Sequence, residues 1–166
     1  MIDIHCHFLP GIDDGPATMA ESVLLAKQAM ADGITHTVCT PHIHPGRYEN
    51  DIDTISSVFE DFHLALTEEG IKLNLGMSAE VRISMEMLPM IESGRIPFLG
   101  EVDGYQVLLL EFPHSHILPG SDKLVDYLLK RNIQPLIAHP ERNKDIIRSF
   151  NKLEPFVKQG CWLQLT

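Results

Sequence analysis

The chain of 166 residues carries 13 basic and 23 acidic side chains, which gives a formal charge of −10 at pH 7. Its length fits one globular domain over residues 1–166, and its negative charge disfavours nucleic-acid binding because a phosphate backbone is repelled. No apolar run approaches the roughly 20 residues that a membrane span needs, and the start lacks the pattern of a secretory signal. We therefore expect a cytoplasmic protein.

Alternating strand and helix patterns run along the whole chain without a composition break. The predicted strands cover residues 2–4, 34–40, 71–75, 105–110, 133–138 and 161–165. The predicted helices cover residues 18–31, 51–69, 84–93, 124–130 and 143–158. Repeated βα units of this length predict an α/β fold with a parallel sheet, whose functional residues gather beyond the carboxyl ends of the strands.

The first candidate site residues are His5 and His7, which follow the first predicted strand. Residues i and i+2 of a strand share one face, so the two imidazoles can bind one metal ion or two adjacent ones. Alone, this pair could equally be two surface histidines on an edge strand. The following loop adds Asp14, whose carboxylate could fold back over the same site, whereas Asp13 is interpreted as a turn or helix-capping residue.

Later strand ends carry further metal-ligand types. His42 follows Pro41, Glu80 comes shortly after the third predicted strand, and Glu111 and His139 directly follow apolar strands. A carboxylate straight after a buried strand is costly unless it is paired or bound to a cation. Mixed histidine and carboxylate ligands suit Mn, Fe or Zn, and such ions activate water and neutralise phosphate oxygens.

Arg142 stands close to His139 in sequence, and its planar guanidinium suits a phosphate. Arg47 is either a solvated charge or a phosphate contact on a mobile loop. The sequence gives weaker indications for other polar residues: His44 and Glu141 are interpreted as loop and helix-start residues, His114 and His116 as proton donors lining the site or as solvent-facing side chains, and His36 and His63 as structural.

The three cysteines, Cys6, Cys39 and Cys161, are scattered and odd in number, which fits reduced thiols rather than a disulfide framework. Cys6 is expected to point away from its neighbouring histidines and to pack as a small core residue. No cysteine begins a Cys-x5-Arg phosphate loop, because Arg47 lies too far from Cys39. A phosphatase with a cysteine nucleophile is therefore disfavoured.

The motifs together resemble a known family. They are His5-x-His7, Gly11-Ile-Asp-Asp14-Gly, Thr40-Pro-His42, Glu80, Leu-Glu111 and His139-Pro-Glu-Arg142. This set is similar to the PHP (polymerase and histidinol phosphatase) superfamily and, within it, to the bacterial manganese-dependent protein-tyrosine phosphatases of the CpsB/YwqE group, which belong to capsular and exopolysaccharide operons. The likeness covers nearly the whole chain.

The resemblance implies a distorted parallel (β/α)7-type barrel and up to three metal ions, with Mn2+ favoured over Fe or Zn. It implies His5, His7, Asp14, His42, Glu80, Glu111 and His139 as ligands, and Arg142 as a phosphate contact. The implied activity is hydrolysis of phosphotyrosine on an autokinase that controls polysaccharide polymerisation and export. A homo-oligomer is one expected assembly.

The chain departs from the family pattern at one point. Members continue past the sixth strand through another helix to a strand that ends in an Asp-x-His pair, and no such pair follows Trp162 here. We therefore expect a barrel truncated after about six strands, weaker binding at one or more metal positions, and reduced activity. Two other functions stay open: a PHP phosphoesterase of the histidinol-phosphate type, and a non-catalytic remnant that binds metal or a partner.

Overall fold

The computed structural model describes residues 1–166, which form an α/β protein with parallel sheets. The strands are β1 (Ile2–Cys6), β2 (His36–Cys39), β3 (His42–Ile43), β4 (Asn74–Met77), β5 (Glu80–Arg82), β6 (Gly100–Val102), β7 (Tyr105–Glu111), β8 (Ile133–Ala138) and β9 (Trp162–Gln164). The helices are α1 (Met19–Ala31), α2 (Ile52–Glu68), α3 (Met87–Glu92), α4 (Ser121–Leu129), α5 (Lys144–Arg148) and α6 (Glu154–Gln159). This confirms the predicted fold class.

The chain forms two compact units, of which the first comprises Met1–Ala79 and Leu88–Leu99. Its parallel sheet has the strand order β1-β2-β4, so the second strand is central. Thr18 begins α1 with a capping box: its hydroxyl accepts from the Glu21 backbone N–H, and the Glu21 carboxylate accepts from the Thr18 backbone N–H. This reciprocal cap explains why α1 starts where the sequence predicts.

The second unit comprises Glu80–Met87 and Gly100–Thr166. Its parallel strands follow the order β5-β7-β8-β9, and β6 adds to β7 in antiparallel direction. The core strands are apolar throughout, because helices cover a parallel sheet on its faces: Leu108, Leu109 and Leu110 of β7 are fully buried. These strands fix the positions of Glu111 and His139 at their ends.

The observed elements differ from the predicted ones at several places. The short strands β3, β5 and β6 were not predicted, and the predicted strand 71–75 lies later, as β4. The turn Asp103-Gly104 has φ values of 52° and 81°, which matches the tight hairpin between β6 and β7. The predicted helix 143–158 is broken at Ser149, whose backbone is extended with φ −153° and ψ 96°, so α5 ends and α6 begins separately.

The prediction of a single domain over residues 1–166 stays a prediction.

None of the helices combines the length and the apolar character that crossing a membrane requires.

The helix α2 allows a matched stability test, because Leu66 is 1% exposed and Leu64 is 58% exposed. We expect Leu66→Ala to lower the free energy of unfolding by about 2–5 kcal/mol, since the truncation leaves a cavity in the core of the first unit. Leu64→Ala removes the same atoms from the surface and should change it by less than about 0.5 kcal/mol. Urea unfolding followed by circular dichroism measures both, and equal losses would contradict the observed packing of α2.

Candidate metal-binding clusters

The first cluster begins at the end of β1. The Nε2 atoms of His5 and His7 lie 3.3 Å apart, and the two rings are tilted by 51° at a centroid distance of 5.4 Å. The two side chains therefore converge, as the i and i+2 spacing predicts. Cys6 points the other way, and its Sγ lies 3.1 Å from Thr37 Oγ1 in the interior, as expected for a small core residue.

Asp14 and His42 lie beside His7. One ligand atom from each of these three residues falls within 4.8 Å of the others. Asp14 Oδ1 is 3.5 Å from His42 Nε2 and 3.9 Å from His7 Nδ1, and the Asp14 side chain is 54% exposed. Two imidazoles and an accessible carboxylate at these distances form a donor set that fits a divalent metal ion.

Asp13 has a larger role than the turn residue predicted from the sequence. Its side chain is 1% exposed, and Oδ2 lies 2.7 Å from His7 Nδ1 and accepts a hydrogen bond from the His42 backbone N–H at 3.0 Å. Oδ1 accepts from the Gly15 backbone N–H at 2.9 Å, which is the expected turn contact. Burial alone would raise the pKa of Asp13, but the hydrogen bonds from His7, Gly15 and His42 outweigh it and hold the pKa below its usual value.

Asp13 thus holds the His7 ring through Nδ1. A carboxylate on one ring nitrogen fixes the tautomer and the orientation of the ring, and it leaves the other nitrogen for the metal. For His7 that other nitrogen is Nε2, the atom that lies next to His5 Nε2. Two successive aspartates precede Gly15 in the sequence, but the sequence alone does not tell which of them is the candidate ligand and which holds the His7 ring.

Stacked side chains hold Arg47 near the first cluster. The Tyr48 ring is parallel to the His42 ring within 5° at 5.5 Å, and the Arg47 guanidinium carbon lies 5.0 Å from the centroid of the Tyr48 ring. The cation–π contact lets an exposed arginine occupy a defined place one ring away from His42. His44 lies in the same turn, where its carbonyl accepts from the Arg47 and Tyr48 backbone N–H groups.

The second cluster lies in the second unit and is more deeply buried. Glu80 and Glu111 are each 1% exposed and His139 is 6% exposed. Glu80 Oε1 lies 2.6 Å from His139 Nε2. Glu80 comes shortly after β4, as predicted, and begins the short strand β5, which was not predicted. His139 follows β8 with φ 29°, a left-handed conformation that turns the chain sharply at the strand end.

Arg82 is a member of this cluster that the sequence analysis missed. It is 8% exposed, and its Nη2 lies 2.8 Å from Glu111 Oε2. Arg82 follows Glu80 by two residues on β5, so both side chains share one face of the sheet. The spacing Glu80-Val-Arg82 could have revealed it, had the strand β5 been predicted.

Arg142 and His114 lie around the second cluster. Arg142 is exposed, and its Nη2 donates to Thr166 Oγ1 at 3.2 Å, while Glu141 accepts from the Thr166 backbone N–H at 3.0 Å. The His114 ring is parallel to the His139 ring at 6.4 Å. Burial, together with the nearby charges of Arg82, His139 and Arg142, lowers the pKa of His114. Both loop histidines are exposed; His114 lies beside the cluster, whereas His116 Nδ1 lies 2.7 Å from Ser115 Oγ.

All three cysteines are buried and free. The Cys39 thiol is hydrogen-bonded to the Cys6 thiol. This hydrogen bond and burial together raise the pKa of Cys39 well above its usual value. Burial raises the pKa of Cys161 from its usual value of 9.0 to about 11. Neutral thiols are poor nucleophiles, so Cys39 and Cys161 are not suited to nucleophilic catalysis.

Cys161 gives a prediction for the alkaline range. Because its folded pKa lies above its unfolded pKa, the neutral thiol stabilises the fold fully below about pH 9, and this contribution is lost as the pH rises toward 11. We expect about 2 kcal/mol of the parent's free energy of unfolding to disappear over that interval. Cys161→Ala should lack this part of the loss in urea unfolding at a series of pH values. The same slope in both proteins would contradict the prediction.

By its fold and its donor clusters, the chain is an α/β protein with candidate sites for divalent metal ions. Residues 1–166 match the family described as "Capsular polysaccharide synthesis, CpsB/CapC" over their full extent. The chain belongs to this CpsB/CapC family, which confirms the resemblance inferred from its motifs.

Similar proteins in the family carry phosphatase names. The chain is 34% identical over 166 residues to the putative tyrosine-protein phosphatase CapC of Staphylococcus aureus. It is 32% identical over 166 residues to the tyrosine-protein phosphatase YwqE of Bacillus subtilis. Each alignment covers 100% of this chain and 64% of the relative, so the chain spans about 64% of the length of these relatives.

A solved structure supports the same relationship. It comes from the crystallographic study of YwqE from Bacillus subtilis and CpsB from Streptococcus pneumoniae, described there as unique metal-dependent tyrosine phosphatases. The TM-score is 0.89 at 32% sequence identity, over 99% of this chain and 66% of that chain.

Proposed function

We propose that the protein is a metal-dependent phosphatase that hydrolyses phosphotyrosine on a protein of capsular or exopolysaccharide synthesis. The observation that carries this proposal is the convergence of His7, Asp14 and His42, whose ligand atoms lie within 4.8 Å of one another. Two similar proteins carry tyrosine-phosphatase names, and the study of the similar solved structure describes metal-dependent tyrosine phosphatases; both support this function. The family's role in capsular polysaccharide synthesis supplies the cellular context.

The metal ligands that we propose share the histidine and carboxylate chemistry of the two clusters. They are His5, His7, Asp14, His42, Glu80, Glu111 and His139. This donor set suits Mn2+, with Fe or Zn as alternatives, and we propose up to three ions. Bound divalent ions activate water near neutral pH and neutralise the charge of a phosphate. Within the α/β class, we propose the distorted (β/α)7-type barrel that the motifs imply.

The chain's own residues then bind and orient the substrate. Arg142 is exposed and carries a planar fork of donors that suits two oxygens of a phosphate. Arg47, held over Tyr48, is a second exposed guanidinium for the same kind of contact. In a chain with a formal charge of −10, local cations of this kind are what allow an anionic substrate to approach.

Arg142 has a testable contribution. We expect Arg142→Ala to lower kcat/KM for a phosphotyrosyl peptide by about 10–100-fold, since a charge-assisted contact to the phosphate is lost. Arg148→Ala is the matched control, because Arg148 is exposed on α5 and has no place in the proposed site. Equal effects of the two substitutions on kcat/KM would contradict the assignment of Arg142.

The substrate class can be tested by comparing three phosphate esters. We expect the Mn2+-loaded protein to hydrolyse p-nitrophenyl phosphate and a phosphotyrosyl peptide, and to prefer the peptide of a tyrosine autokinase of polysaccharide export over histidinol phosphate. A preference for histidinol phosphate would replace protein-phosphotyrosine hydrolysis by the small-molecule reaction. No hydrolysis of any of the three by the metal-loaded protein would overturn the proposed function.

A further inference from the structure

Arg82 is a buried cation whose ion pair and side-chain hydrogen bond both reach the end of β7. Its Nη2 lies 2.8 Å from Glu111 Oε2, and its Nη1 donates to the Phe112 carbonyl oxygen at 3.1 Å. The guanidinium thus contacts both the side chain of Glu111 and the backbone of the next residue. With 8% of its surface exposed, Arg82 has little access to solvent or to a substrate. Arg82 therefore acts on its neighbours inside the second unit.

The register of the sheet places this contact. Arg82 is the direct partner of Glu111 in the parallel pairing of β5 and β7, and the Ile83 backbone N–H donates to the Glu111 carbonyl oxygen at 2.9 Å. Direct partners on neighbouring strands project to the same face, and so do residues i and i+2 of one strand. Glu80, Arg82 and Glu111 therefore share one face, with two carboxylates beside one guanidinium.

Charge explains why this pairing matters for metal binding. Two carboxylates, each 1% exposed, are costly to bury close together unless cations compensate them. A guanidinium on one carboxylate oxygen compensates part of this charge and restricts the rotation of the carboxylate. Substitution of a group that holds a ligand in this way typically lowers metal affinity by about 10–100-fold.

We propose that Arg82 is a positioning residue for Glu111: its guanidinium lies against Oε2 and thereby fixes the rotamer in which the carboxylate would be presented to a metal ion. This inference rests on the proposed function, because it takes Glu111 as a metal ligand. Glu80 has a different partner, His139, at 2.6 Å. The two carboxylates on this face of the sheet therefore have different partners: Arg82 lies beside Glu111, and His139 lies beside Glu80.

The experiment is a double-mutant cycle on metal affinity rather than on activity. Mn2+ binding is measured by titration calorimetry for the parent, Arg82→Gln, Glu111→Gln and the double variant. We expect Arg82→Gln to weaken Mn2+ binding by about 10–100-fold in the parent. In the Glu111→Gln background the same substitution should change the affinity by less than about twofold, because Arg82 acts through Glu111.

The outcomes separate the inference from the function beneath it. The cycle uses whichever of Mn2+, Fe2+ and Zn2+ the parent binds, and a parent that binds none of the three overturns the proposed function and this inference with it. A parent that binds, with unchanged affinity in Arg82→Gln or with equal losses in both backgrounds, overturns the inference alone. If Arg82→Gln does not fold, Arg82→Lys replaces it in the same cycle, because lysine retains the charge without the second contact. A several-fold loss of metal affinity that is confined to the background with intact Glu111 supports the proposal. No loss of affinity, or equal losses in both backgrounds, overturns it.

Discussion

Glu80→Gln should reduce Mn2+ affinity and phosphatase turnover by at least about 100-fold. Glu80 is 1% exposed and lies 2.6 Å from His139, so both groups belong to one buried donor pair. Glutamine has nearly the same shape but no charge, and a neutral amide is a poor replacement for a carboxylate on a divalent ion. Changing a group that only orients a ligand already costs about 10–100-fold, and the loss of a ligand should cost at least as much.

The matched control is Glu101→Gln, because Glu101 is an exposed glutamate on β6 of the same unit. It removes the same charge and should leave both Mn2+ affinity and turnover within about twofold of the parent. Glu80→Gln should also keep the metal-free protein folded, since glutamine has nearly the same shape and keeps a polar group beside His139 Nε2. Mn2+ binding by Glu80→Gln at the parent's affinity would contradict the assignment of Glu80 as a ligand.

The second large effect is expected for Asp13→Asn. The carboxylate lies 2.7 Å from His7 Nδ1 and also accepts from the backbone N–H groups of His42 and Gly15. An amide cannot accept through both of its terminal atoms, so one donor in this buried place loses its partner. We expect Mn2+ affinity to fall by about 10–100-fold and the free energy of unfolding to fall by about 2 kcal/mol.

Asp61→Asn serves as the control for Asp13, because Asp61 is an exposed aspartate on α2 of the same unit. Its effect on both quantities should be small, within about 0.5 kcal/mol for unfolding. Calorimetric titration with Mn2+ and urea unfolding of the metal-free protein give the two values separately. If Asp13→Asn loses stability but binds Mn2+ as tightly as the parent, Asp13 supports the loop only and does not orient His7.

Much of the candidate site could be predicted because residues of the metal-ligand types stand at positions that simple rules recognise. His5 lies on β1 and His7 directly follows it, whereas Glu111 ends the long apolar strand β7 and His139 directly follows β8. These strands are recognisable because helices bury them on both faces, which makes the whole run apolar. The strand ends then follow from the sequence, and the ligand types at those ends indicate the chemistry.

The parts that could not be predicted depend on contacts between distant residues. β3 and β5 have only two and three residues, too few for a periodic pattern to show. Without β5, the position of Glu80 and the pairing of Arg82 with Glu111 could not be recognised. Asp13 looked like a turn residue because its contact to the Gly15 N–H is local, whereas its contact to the His42 N–H spans 29 residues.

The break of the last predicted helix has a local cause that the pattern hides. Residues 143–158 show apolar spacing typical of a helix, but the backbone is extended at Ser149 and Pro155 lies at the start of α6. Proline lacks a backbone N–H and is tolerated in the first turn of a helix, so it indicates a new start near residue 154. That signal was available in the sequence and outweighs the periodicity.

Stepwise reconstitution of the metal-free protein with Mn2+, assayed on a phosphotyrosyl peptide at each step, tests the central claim most directly. We predict no turnover without metal, turnover that rises with the amount of bound Mn2+, and loss of both binding and turnover in Glu80→Gln while Glu101→Gln follows the parent. Turnover that persists in the metal-free protein, or Mn2+ that binds tightly through these residues without any hydrolysis of the peptide, would contradict the claim that the two clusters support a metal-dependent tyrosine phosphatase.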